Sequence, residues 1–117
     1  MATEKDALTE GLRQLILEET DVIAETERAD VMLINLSFQS LVVPERHVWI
    51  DTQMGGGDEY SVDLEDWTYE NTWDNAVATV DTSEPAVVRD VVQAWLRGDS
   101  LDDALTHARH NSTVERK

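Results

Sequence analysis

Cysteine is absent from this chain of 117 residues, which removes disulfides and thiolate metal sites from consideration. Lysine is nearly absent too, with Lys5 and Lys117 alone. No Lys or Arg stands between Arg46 and Arg89, so the basic stripe that marks a direct nucleic-acid binder is missing. Long hydrophobic runs are also lacking. Val31–Ile34 and Leu41–Val43 fall far short of the ~20 apolar residues that a membrane-crossing helix needs. The opening MATEKD has no basic segment followed by an apolar run and does not read as a signal peptide. The Asn-x-Ser/Thr matches at Asn35 and Asn111 then carry no weight, and the expectation is a soluble cytoplasmic protein with no membrane contact.

What the chain has in excess is negative charge. Nine Lys and Arg face 25 Asp and Glu, for a formal net charge of −16. Acidic disordered tails share such a balance, but here 41% of residues are hydrophobic and the acids are spread along the chain. Like charge of this size opposes compaction in dilute buffer, and molar salt screens it by shortening the Debye length to ~3 Å. The acid-rich, lysine-poor, cysteine-free composition resembles that of cytoplasmic proteins from salt-loving archaea. A sharper reading of the same charge is a nucleic-acid mimic, in which carboxylates stand in for phosphates on a partner's basic groove.

Hydrophobic spacing gives the element order. Thr3 caps a first helix with Asp6 as an imperfect capping box, and Leu8, Leu12, Leu15 and Ile16 share one face. That helix ends near residue 19; if it ran on to Glu27, Val22 and Ile23 would rejoin the stripe and Glu19 would need a partner. From Val31 the period drops to two. Strands are expected over Val31–Gln39 (with Leu41–Val43 as an extension before Pro44), His47–Gln53, Glu59–Glu65 and Asn75–Asp81. A helix follows over Thr82–Gly98, with Ser83 as N-cap, Pro85 in the first turn and Gly98 as terminator. A short helix then opens at Ser100 with Asp103, burying Leu101, Ala104, Leu105 and Ala108. The reading is one α+β domain over 1–117, order α-β-β-β-β-α-α, with helices on one face of a mostly antiparallel sheet. Residues 1–3 and 111–117 are left as frayed tails.

Candidate sites are few. Gly55-Gly56-Gly57-Asp58 leads into an alternating strand rather than a helix, so it reads as a hairpin tip and not a phosphate cradle. Asp103, His107 and His110 stand at i, i+4 and i+7 on the last helix, with ligand types suited to zinc or nickel. Their arc points away from the buried face and spans two turns, and histidines near a helix C-terminus already interact with its dipole, so no metal or cofactor is expected. His47 and Asp51 share a strand face about 13 Å apart, too far for a catalytic dyad. No nucleophile or dinucleotide motif is present.

Two surfaces remain. Val87, Val88, Val91, Val92, Ala94, Trp95 and Leu96 cover a wider arc of the second helix than a surface helix needs. Either that helix is wedged inside the fold, or Val88, Val92 and Leu96 meet a second copy and the protein is a homodimer. The segment 58–74 carries Tyr60, Trp67, Tyr69 and Trp73 among seven carboxylates and no positive charge. Tyr60, Val62 and Leu64 are even-numbered and inward, whereas Trp67, Tyr69 and Trp73 are odd, which predicts a bulge or turn at Glu65–Asp66. These rings either cap one end of the core or, with Asp66, Glu70 and Asp74, form a contact surface for a protein partner. The expected role is a small, salt-adapted interaction module. An acidic antagonist of a nucleic-acid-binding protein is the alternative, and a small enzyme comes third.

The charge balance makes folding depend on salt. Thermal melts followed by circular dichroism should show a midpoint clearly higher in 2 M than in 0.1 M potassium chloride. Equal midpoints would contradict the salt-adapted reading.

Overall fold

A computed structural model describes residues 11–18, 21–26, 35–51, 60–68, 75–108 and 112–116. Six strands form one sheet: β1 (Ile23–Glu25), β2 (Asn35–Ser40), β3 (Arg46–Asp51), β4 (Tyr60–Asp66), β5 (Ala76–Thr82) and β6 (Ser112–Arg116). Their order across the sheet is their order in the chain, and every neighbouring pair is antiparallel. Helix α1 (residues 11–16) precedes the sheet, and α2 (Pro85–Arg97) and α3 (Leu101–Leu105) lie between β5 and β6. The helices pack on one face, as an α+β domain requires.

Alternation decides which face that is. Phe38, Val48, Ile50, Val62, Leu64, Ala78 and Val80 are all buried, and their register partners repeat the pattern across the sheet. Each such side chain withdrawn from water stabilises the fold by roughly 1.5–3 kcal/mol before entropy is counted. Tyr60 joins them, and burial raises its phenol above the ordinary value. Leu12 and Ile16 of α1 close the same core.

Helix α2 fills the centre. Val87, Val88, Val91, Val92, Ala94, Trp95 and Leu96 are buried, and Val88, Val92 and Leu96 keep no accessible surface at all. The self-association face expected there is therefore corrected: the wide apolar arc is consumed by the sheet on one side and the other helices around it. Gln93 joins α2 to α1 by donating to the carbonyl oxygens of Leu15 and Ile16 (3.2 and 3.3 Å), which caps the end of α1.

Several boundaries differ from the expectation. α1 stops well before Glu27, in line with the expected end near residue 19, and Ile23 is instead a buried strand residue of β1. The N-cap of α2 is Glu84 rather than Ser83. Thr82, fully buried, accepts from the Glu84 N–H instead (3.2 Å). Gly98 does end α2, at φ 104°, with its N–H and that of Asp99 returning to the last turn. Ser100 caps α3 by accepting from Asp103 N–H, as expected. Within 111–117, read as a frayed tail, residues 112–116 form β6 against β5. The glycine run 55–58 lies outside the described residues, although the Asp51↔Ser61 pairing on either side is that of a hairpin.

Candidate functional site

One end of the sheet gathers the features that a contact surface needs. At that end β2 leaves at Ser40, β3 enters at Arg46, β4 leaves at Asp66 and α2 terminates beside them. The turn 41–45 is held from several sides. Ser40 Oγ donates to Leu96 O (2.5 Å) and accepts from the Val42 and Val43 N–H groups (3.2 and 2.8 Å). Leu41 N–H reaches Val22 O (2.7 Å), and Gln39 Nε2 donates to Pro44 O (2.9 Å). Gly98 belongs to the same contact: a Cβ there would meet Val43 Cγ2 at 3.4 Å, and its φ disfavours any side chain.

Arg46 ties the turn to the helix end. Its Nη1 donates to Trp95 O (2.8 Å) and Asp99 O (2.5 Å), and the guanidinium lies 3.8 Å from the Trp95 ring centroid. Burial lowers the Arg46 pKa from its ordinary value, and the charges of Asp66 and Asp99 pull it back up. Trp95 in turn donates its ring N–H to Glu65 O (3.3 Å). Cations at a helix C-terminus are favoured by the dipole, and here the cation also donates to Trp95 O, shared with the Gly98 N–H, and to Asp99 O just beyond the helix.

What this scaffold leaves outside is apolar. Among the described residues, the large hydrophobic side chains with the most exposure are Leu41 (53%), Val42 (55%), Trp67 (41%) and Val114. Three of these four lie at this end of the sheet. Trp67 N–H donates to Glu45 O (2.7 Å), which sets the tryptophan beside the turn. Its ring meets His47 with centroids 5.4 Å apart and a 52° tilt. His47 is on the sheet face opposite α2, since its neighbour Val48 is buried beneath the helices.

The parity break expected at Glu65–Asp66 does not occur on β4; the irregularity lies on its neighbour β5. The β4–β5 register shifts between Leu64 and Glu65, where Glu65 pairs with Ala76 and Leu64 with Ala78. The extra residue is Val77 of β5, while β4 keeps its regular pairing with β3 through Asp66, so Trp67 reaches the exposed side by plain alternation with Ser61 and Asp63. Asp66 is half-buried, and its Oδ1 accepts from the Thr68 N–H (2.9 Å). Tyr69, Glu70, Trp73 and Asp74 lie outside the described residues. Leu41 and Val42 were not expected here, because an apolar run reads as strand. The signal that could have found them is Ser40 before the run and Pro44 after it, a pair that favours a turn.

Of the helical constellation, Asp103 lies in α3 and His107 follows it. α3 closes at Leu105, with the Thr106 N–H shared between Asp102 and Asp103 O and the His107 N–H reaching Ala104 O. His107 therefore sits in the turn beyond the helix, and His110 lies outside the described residues. Among the described residues no group of three potential ligands converges, and no helix is long and apolar enough to cross a membrane.

None of the family models, curated proteins or solved structures compared with the chain matches it. The surface is therefore read from its own geometry.

Exposure separates the two roles that the sequence left open for Trp67. Trp67→Ala should cost no more than about 1 kcal/mol in denaturant unfolding in 2 M salt, in the range of surface changes. Trp95→Ala should cost ~3–5 kcal/mol, as core tryptophans do. Equal large losses would place Trp67 in the core.

Proposed function

We propose that the protein is a small acidic binding module whose contact surface is the sheet end carrying Leu41, Val42 and Trp67. The observation that supports this reading is the exposure of Leu41 and Val42 on a turn that hydrogen bonds hold firmly in place, with Trp67 exposed beside it. Exposed apolar groups on a braced scaffold lose little entropy on binding, and tryptophan is among the residues that carry most interface energy. Tyr69, Glu70, Trp73 and Asp74, grouped with Trp67 on sequence alone, lie outside the described residues. The partner is a protein with a basic rim, since Glu45 and Asp66 flank the apolar residues and the whole chain repels anions. Nucleic acid itself is disfavoured on the same ground. The setting that fits the charge is a cytoplasm of high salt. Self-association stays within this reading, through a surface other than α2.

A second reading has an observation of its own. Asp51, Asp63, Glu65, Asp81 and Glu115 share the sheet face opposite the helices by register. No Lys or Arg of the described strands shares that parity. Two residues along a strand span ~6.6 Å, so Asp63 and Glu65 set charges at a repeat that a basic groove could accept. Against it, Glu65 is largely buried and the Asp63 carboxylate already accepts from Thr79 Oγ1 (2.8 Å), so fewer carboxylates are free than the register supplies. The apolar surface is the better-supported site.

Immobilised wild type and Trp67→Ala, compared for capture from native lysate in molar salt, test the proposal. A protein retained by wild type and lost with Trp67→Ala, while that variant melts like wild type, is the expected result. A captured protein released by short duplex DNA would move the conclusion to mimicry. Equal capture by both proteins would remove Trp67 from the contact.

A further inference from the structure

We propose that two copies of the protein associate through β6, edge to edge and antiparallel, so that their sheets join into one. This stands apart from the Trp67 surface and uses the opposite margin of the sheet. β6 is last in the strand order, and no described strand pairs with its other side. Thr113, Val114, Glu115 and Arg116 are all exposed, so solvent reaches the strand. An edge strand presents a row of backbone N–H and C=O groups that another strand can complete. The other margin is a poor template, since β1 has three residues.

The identity of the partner follows from the sequence of the strand. In an antiparallel pair centred on Val114, Ser112 faces Arg116 of the second copy, Thr113 faces Glu115, and Val114 faces Val114. No like charges stand directly opposite one another, and the β-branched pair sits on the twofold axis, where cross-strand apolar contacts stabilise pairing. Val114 projects towards the helix side, in register with buried Val80, yet is 40% exposed. It is the exposed large hydrophobic that the Trp67 surface does not account for. Second-copy pairing would cover it.

Charge points the same way. Molecules bearing −16 repel each other over most of their surfaces. The last twelve residues are the exception, with Arg109, Arg116 and Lys117 against Glu115 alone. Arg116 also bridges Asp102 of α3 at 2.7 Å, which anchors the strand's end on its own molecule. The margin where repulsion is least is therefore also the margin with open backbone groups. A five-residue pairing is small beside the ~1,200 Å² that stable interfaces bury, so the dimer is a weak one, favoured by protein concentration and by screening salt.

Light scattering and sedimentation in 2 M potassium chloride, across low to high micromolar protein, should show monomer passing to dimer. Val114→Lys places two ammonium groups face to face on the axis and should weaken association about tenfold or more, each tenfold being 1.4 kcal/mol. Trp67→Ala should leave it unchanged. Should Val114→Lys fail to fold, hydrogen exchange on wild type decides: amides of 112–116 should gain protection as concentration rises. Three results would overturn the proposal. These are a wild type that stays monomeric throughout, a dimer that Val114→Lys leaves intact, and β6 amides whose exchange ignores concentration.

Discussion

The structure depends on how the C-terminal end of α2 is received by the sheet. A helix end leaves carbonyl oxygens without intrahelical donors, and this end is enclosed by the turn between β2 and β3. Ser40 takes Leu96 O and Arg46 takes Trp95 O, with Asp99 O just beyond the helix. The two donors flank the turn 41–45, so satisfying the helix also fixes the turn. Gly98 lets the chain leave without a side chain in the way of Val43. Helix, turn and sheet end thus form one unit, and the exposed apolar residues ride on it. Leu41 and Val42 can stay in water without the turn collapsing because the hydrogen bonds, not their burial, hold it.

Charge gives this unit its particular form. In a chain with so few cations, Arg46 is placed where one positive charge meets two carboxylates, an aromatic face and two carbonyls. The exposed ion pairs are of another kind. Arg97 with Asp99, and Arg116 with Asp102, are open to solvent on both sides, and such pairs are worth little once salt screens them. Hydrogen bonds from a half-buried guanidinium to carbonyls are screened less. Salt therefore weakens the second type less than the first.

How much of this was legible can be traced to particular residues. Strands β2 to β5 and helix α2 were readable because each buries one face, and burial writes alternation or a 3.6-residue period into the sequence. β6 escaped because an edge strand outside the helix layer buries almost nothing, leaving Val114 as its lone apolar residue. β1 is too short for a period to appear. The width of the α2 face was legible, but its occupant was not. The arc fits either a second copy or intramolecular neighbours, and only the placement of α1 and the sheet decides between them. Trp67 is out of phase with Leu64 by plain count along β4, and the interruption expected at Glu65–Asp66 is replaced by an extra residue, Val77, on β5. Arg46 was invisible as a keystone, because nothing local to it says that a helix 50 residues later will end against it.

If the reception of α2 by the sheet end is what the fold rests on, removing the Arg46 donors must be costly. Denaturant unfolding of Arg46→Met in 2 M potassium chloride, beside Arg97→Met as an exposed control, measures this with long-range charge effects screened. The variant keeps an apolar stem over Trp95 but takes a donor from two carbonyl oxygens; Trp95 O keeps the Gly98 N–H, while Asp99 O loses the Arg46 donor, at ~1–3 kcal/mol for a group left unsatisfied. The account predicts a loss of about 1–3 kcal/mol for Arg46→Met and under about 0.5 kcal/mol for Arg97→Met. An Arg46→Met protein as stable as the Arg97→Met control would contradict it.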